Sequence, residues 1–170
     1  MYATISSILK KFLKESTIFK YGFNLSPMYR RSTGRITSVS DDLFMVKVKI
    51  PISYKNKNYV GSIFGGSLFS ATDPVFMIQL MHILGNDYVV WDKNATINFK
   101  RPVKENGYVD FIFTKEEIEN IKERVTKENE IDLVKKIQVL NKEGSTVFVE
   151  VSKTIYIANK KYYKNKRKNK

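Results

Sequence analysis

Residues 61–84 are apolar on nearly every side, and no other stretch limits the possible folds as strongly. Leu68, Phe69, Ala71, Val75, Phe76, Met77, Ile78, Leu80, Met81, Ile83 and Leu84 leave no continuous polar stripe at helical spacing. A helix without a polar face has to be covered on most of its sides. Gly85 and Asn86 then supply a C-terminal stop. The longest uninterrupted apolar run, 74–85, contains Gln79 and His82 and falls short of the ~18–20 residues of a membrane span.

The covering material is β. Residues 34–39 read as a short strand, and 44–50 alternate apolar and basic residues with period two, one face buried and one wet. Residues 51–58 are polar and read as a loop. Strand follows strand at 89–99, 107–113, 131–140 and 146–158, the last two joined by an Asn141-Lys-Glu-Gly144 hairpin turn. The charged interval 114–129, with Ile118 and Ile121, reads as a short solvated helix or a long loop. Ahead of the strands, Ile5, Ile8, Leu9, Phe12 and Leu13 recur at helical spacing and predict an amphipathic helix over 1–21. A turn-rich connector, 21–31, follows with Gly22, Asn24 and Pro27. No internal repeat is present. One long helix among antiparallel strands predicts an α+β domain over 22–158, in which a strongly curved antiparallel sheet wraps the central helix.

Composition removes several kinds of chemistry. The chain has no cysteine, which excludes disulfides, thiolate catalysis and cysteine-ligated zinc. With one histidine, a metal site or a histidine-based triad is not expected, and His82 reads as a packed or interface residue. The net charge of +13 suggests a nucleic-acid partner until it is located. Residues 159–170 hold seven cations and no acid, and 1–20 carry a net three, leaving a net three for the whole of 21–158. The basic end therefore predicts a disordered tail, one that would contact anionic surfaces if it binds anything. The first twenty residues faintly resemble an organelle transit sequence, but their periodicity favours a helix packed on a cytoplasmic protein.

From Asn58 the sequence runs Asn-Tyr-Val-Gly-Ser-Ile-Phe-Gly-Gly-Ser-Leu-Phe-Ser-Ala-Thr-Asp-Pro. This resembles the active-site stretch of hotdog-fold acyl-CoA thioesterases of the phenylacetyl-CoA type. Their pattern is an Asn, a His-Gly-Gly six residues later and an Asp nine residues after that His. Asn58, Gly65, Gly66 and Asp73 keep the register without a gap, while Phe64 stands where the family carries His. Residues 95–102, ending in Lys100-Arg101-Pro102, are similar to the family's third-strand segment. The stretch looks closer to a bacterial branch of unknown function, DUF4442-like, and the resemblance covers about 22–158.

The resemblance implies a thioester hydrolase with Asp73 as general base or nucleophile. It also implies coenzyme A as part of the substrate with no separate cofactor, and a homodimer or dimer of dimers. The counterpart of Asn58 reaches the Asp of the partner subunit, so two sites would lie at the interface.

The residues themselves are compatible with that chemistry. Asp73 is the one carboxylate in the apolar stretch, and a poorly solvated carboxylate is a better base. Gly65 and Gly66 lie where a helix start leaves N–H groups unpaired, which makes Gly66 N–H the candidate oxyanion donor. Asn58 would orient water or donate to the thioester carbonyl. Phe64, Gly65 and Ser67 would line the substrate, and Lys100 and Arg101, or Arg30 and Arg31, would meet the phosphates. Two structural alternatives stay open for Asp73. Asp73-Pro74 starts a helix as a capping pair, or the helix starts near Gly65 and Pro74 bends it. A non-catalytic acyl-CoA or lipid-binding protein, in which Phe64 has replaced chemistry with packing, is the alternative function. A third reading is a membrane-surface or nucleic-acid protein acting through both basic ends.

Overall fold

A computed structural model describes residues 13–168. Most of the helix expected over 1–21, with Ile5, Ile8, Leu9 and Phe12, lies outside them. The described chain runs α1 (Glu15–Leu25), α2 (Pro27–Arg31), β1 (Arg35–Val39), β2 (Met45–Ile50), α3 (Gly65–Thr72), α4 (Val75–Leu84), β3 (Tyr88–Phe99), β4 (Gly107–Ile112), α5 (Lys115–Glu128), β5 (Glu130–Leu140), β6 (Val147–Asn159) and α6 (Lys160–Lys168).

Six strands form one antiparallel sheet in the order β1-β2-β4-β5-β6-β3. α3 and α4 together form the expected central helix. Ala71, Val75 and Leu80 have no exposed surface, and Phe76 sets its ring edge against Phe111 at 4.9 Å and Phe113 at 5.3 Å. Val75, Phe76 and Leu80 each contribute about 1.5–3 kcal/mol by leaving water, which is what wraps the sheet round the helix. By length and composition Gly65–Leu84 could cross a membrane, but half of it is buried here, as a core helix is. Its cover is incomplete. Gly66, Ser70, Asp73, Met77 and Met81, spaced at steps of four and three, lie on a side where each is exposed or half-buried.

Pro74 interrupts the helix without ending it. Asp73 and Pro74 both keep right-handed helical dihedrals, Asp73 N–H still reaches Phe69 O at 2.9 Å, and bonding resumes with Ile78 N–H on Pro74 O at 3.1 Å. The helix therefore starts at Gly65, and Asp73 caps nothing with its side chain. Tyr29 of α2, fully buried, grips the same region by donating its hydroxyl to Ala71 O at 2.9 Å. That burial pushes the phenol above its ordinary range.

Three stretches are more ordered than the sequence predicts. Residues 21–31 are the end of α1 and the single turn α2, because Phe19 and Phe23, one turn apart, stack at 4.9 Å and bury a face that outweighs Gly22 and Asn24. Asn24 instead ties α1 to β1, accepting from Ile36 N and donating to Ile36 O, both at 2.9 Å. Residues 115–128 form a full helix. Thr114 caps it by accepting from Glu117 N, and Ile118, Ile121 and Val125 are buried. This helix connects β4 and β5, which pair only at Tyr108 and Leu140.

The expected disordered tail is helix α6. Asn159 Oδ1 accepts from Lys161 N at 2.9 Å and Tyr162 N at 3.2 Å, the geometry of a helix N-cap. Lys166 Nζ sits 2.6 Å and 2.7 Å from the two oxygens of Glu130. The composition reads as disordered because the segment has no acid of its own, and the anion comes from a residue 36 positions earlier.

Candidate functional site

The loop after β2 returns to the central helix at Phe64, whose carbonyl accepts from Ser67 N at 2.9 Å and Leu68 N at 3.2 Å and so starts α3. The N–H groups of Gly65 and Gly66 have no partner among the described residues. Both glycines lie close against aromatic rings. A Cβ at Gly65 would lie 2.7 Å from the Phe99 ring, and one at Gly66 would collide with the ring of Phe64. Those two rings remain more than half exposed, Phe64 at 59% and Phe99 at 56%. They flank the start of the helix.

Four of the candidate residues line one cavity of about 370 Å³: Asn58, Gly65, Lys100 and Arg101, with Leu68 and Val103 on its apolar side. Lys100 Nζ pairs with Glu150 at 2.9 Å, whereas Arg101 has no carboxylate partner among the described residues. Asn58 is occupied locally. Its Oδ1 accepts from Val60 N at 3.1 Å and Ser62 N at 3.0 Å, and its Nδ2 donates to Ser62 Oγ at 3.0 Å. It shapes the cavity wall by holding this loop closed. Ser67 lies one residue beyond the glycines and contributes its N–H to the helix start. Arg30 and Arg31 belong to α2 and do not line this cavity.

Asp73 is not part of that cavity. It lies eight residues beyond Gly65, about 12 Å along a helix. Nor is it in the poorly solvated pocket expected for it, because its side chain is 44% exposed. One carboxylate oxygen, Oδ1, takes Lys153 Nζ at 2.9 Å, and Lys153 Nζ also donates to the Asp73 main-chain carbonyl. The same ammonium pairs with Asp92 Oδ2 at 2.8 Å. Lys153 itself has no exposed surface. Asp92 is the carboxyl group that burial pushes above the usual range, against the pull of the Lys153 hydrogen bond and charge. Its Oδ1 is buried without a partner.

Lys153 and Asp92 are missing from the sequence reading, and one signal was there. Val149, Val151, Lys153, Ile155 and Ile157 alternate along β6, so Lys153 occupies an inward position in an otherwise apolar series. An ionised group at such a position needs a buried counter-charge. Asp92 is harder to read, because a register shift between Asp92 and Asn94 alters the alternation of β3.

His82 is a packed residue, as expected, with Nδ1 2.8 Å from Glu15 Oε1 and its ring edge-on to Phe19. Among the described residues no three His, Cys, Asp or Glu side chains are placed to hold a metal.

A helix wrapped by a six-stranded antiparallel sheet, with Gly65 at its N-terminus lining a cavity, defines the hotdog fold, and solved structures agree. A protein of unknown function from Pseudomonas aeruginosa, described as a "Probable Thioesterase", superposes with a TM-score of 0.73 at 18% identity, over 84% of this chain and 95% of that one. A protein of unknown function from Chlorobaculum tepidum gives 0.67 at 16% identity, over 84% and 93%. Zebrafish thioesterase superfamily member 2 gives 0.56 at 14% identity, over 83% and 94%. No curated protein sequence matches significantly. The profile of the family described as Domain of unknown function (DUF4442) matches residues 15–157, and the chain belongs to that family.

Proposed function

We propose that this protein is a thioesterase, hydrolysing acyl-CoA or a related acyl thioester at a site completed by two subunits. The observation that carries the proposal is the spacing of Gly66 and Asp73. Both lie on the incompletely covered side of the central helix, about 10 Å apart along its axis. That spacing is long for a donor and a base serving one thioester, even with a water between base and carbonyl, and it favours a site shared between two chains. A second copy, with its helix laid antiparallel across the first, would bring its Asp73 to the glycines of its partner. The free edge of β3 and the half-covered apolar helix beside it favour that pairing.

In the proposed reaction, water attacks the thioester carbonyl carbon while Asp73 takes its proton. The unpaired Gly66 N–H stabilises the oxyanion. Collapse breaks the carbon–sulfur bond, and the proton passes from Asp73 to the departing thiolate. Direct attack by the Asp73 carboxylate, giving an anhydride that water then opens, uses the same placement. The cavity beside Asn58 would receive the thioester arm, and Arg101 and Lys100 would meet phosphate at its rim.

A second reading is favoured by the Phe64 ring. It lies against Gly66 and offers no donor of its own, which suits a protein that binds acyl thioesters without turning them over. Thiol release from a panel of acyl-CoA esters, with Asp73→Asn beside wild type, separates the two. Release by wild type that is lost in the variant supports the thioesterase. Saturable binding without release by either supports the binding protein.

A further inference from the structure

Lys153 sits at an inward-facing position of β6, where its neighbours in the alternation are Val151 and Ile155. An ammonium there forfeits its hydration, and a well-packed apolar side chain of similar volume is often as stable or more so. Its retention in the core calls for a reason other than stability. Nζ donates to the Asp73 carbonyl and Asp73 Oδ1 and forms an ion pair with Asp92 Oδ2 at 2.8 Å. With no exposed surface, Lys153 is out of a substrate's reach.

Its effect on Asp73 is specific. The Oδ1 contact fixes the carboxylate rotamer, and the carbonyl contact holds the main chain where Pro74 breaks the helical ladder. Asp73 Oδ2 has no partner among the described residues and belongs to a side chain 44% exposed. One oxygen is anchored inward and the other is left available. Asp92, reaching in from β3, supplies the second negative charge that keeps the ammonium in the core.

We propose that Lys153 is a positioning residue that aims Asp73 at the thioester, with Asp92 holding Lys153 in place. This rests on the reading of Asp73 as the reacting carboxylate. The chain reads as a relay of position from the sheet to the helix, in which only Asp73 meets substrate.

The test is steady-state kinetics on one hydrolysed acyl-CoA, for wild type, Asp73→Asn, Lys153→Met, Lys153→Arg and Asp92→Asn. Lys153→Met is expected to lower kcat by about 100-fold with KM within twofold, since misplacement of a catalytic group costs about that much. Lys153→Arg, which keeps the charge, should recover at least tenfold of that loss. Asp92→Asn removes no volume and should lower kcat about tenfold at unchanged KM, so the test survives if Lys153→Met does not fold. Adding Lys153→Met or Asp92→Asn to Asp73→Asn should lower the residual rate no further. Unchanged kcat in Asp92→Asn, and in Lys153→Met where it folds, with Asp73→Asn inactive, would overturn the positioning role and leave the reading of Asp73 intact. Activity in Asp73→Asn would instead overturn that reading itself.

Discussion

Asp73 and Gly66 lie two turns apart on the central helix, on the side that the sheet leaves partly open. Met77 continues that side one turn beyond Asp73. If a second copy covers it, a charge there loses its hydration in the interface, at a cost of about 3 kcal/mol or more. Met77→Glu is therefore expected to weaken dimerisation by over ~100-fold, giving monomers at micromolar concentration that keep their circular-dichroism spectrum and lose turnover. Analytical ultracentrifugation checks this. A Met77→Glu dimer as tight as wild type would place the interface elsewhere.

Phe64 is where the chain departs from the pattern it resembles. Its ring lies against Gly66 and offers no donor to an oxyanion. Phe64→His should add a donor beside Gly66, raising kcat by roughly tenfold or more, short of the ~100-fold or more that one well-placed oxyanion donor supplies. Initial rates under saturating acyl-CoA are the measurement. A fall in rate would mean that the phenyl ring itself holds the substrate.

Tyr29 fastens α2 to the central helix through its hydroxyl on Ala71 O at 2.9 Å. Tyr29→Phe keeps the ring and removes that bond, which should cost about 1 kcal/mol. For a chain of this size that corresponds to a fall in Tm of about 3 °C. Differential scanning calorimetry of the two proteins would show it.

Helix α6 should be the acid-labile part of the molecule. The hydrogen bond from Lys166, then that from Tyr156, holds the Glu130 carboxyl below its ordinary value of 4.5. A group depressed in the folded state contributes stability that is complete above its ordinary value and is lost as pH falls through the depressed one. Protection of residues 160–168 from hydrogen exchange, taken relative to the intrinsic rate at each pH, should therefore hold at neutral pH and fall as pH drops below about 4. Asp92 acts in the opposite sense. Burial raises it, so its contribution falls as pH climbs from the ordinary aspartate value through the raised one. Glu130→Gln should make exchange in α6 fast at all pH values.

Most of the fold was legible because it rests on periodicity. Strands alternate in twos, and the apolar stretch 61–84 admits little except a wrapped helix. What was lost in reading depends on partners far away in sequence. The basic end looks disordered until Glu130 is placed beside Lys166, and 21–31 looks like a connector until Phe19 and Phe23 stack. At the site, Gly65 and the cations Lys100 and Arg101, all named from the sequence, do share one cavity with Asn58. It gave Asp73 the wrong surroundings. Half-exposed and paired with Lys153, that carboxylate takes its environment from β6 and β3, 80 residues downstream in the case of Lys153.

The claim that the site is built from two chains is tested most directly by mixing two inactive variants. Asp73→Asn lacks the carboxylate, and Gly65→Val fills the cavity against Phe99 while leaving Asp73 intact. In a mixed dimer, one site combines the intact Asp73 of the second chain with the intact glycines of the first. Thiol release should return on co-refolding, toward one working site per mixed dimer. Mixed dimers that form and stay inactive would contradict the account, and Asp73 would then have to act within its own chain or not at all.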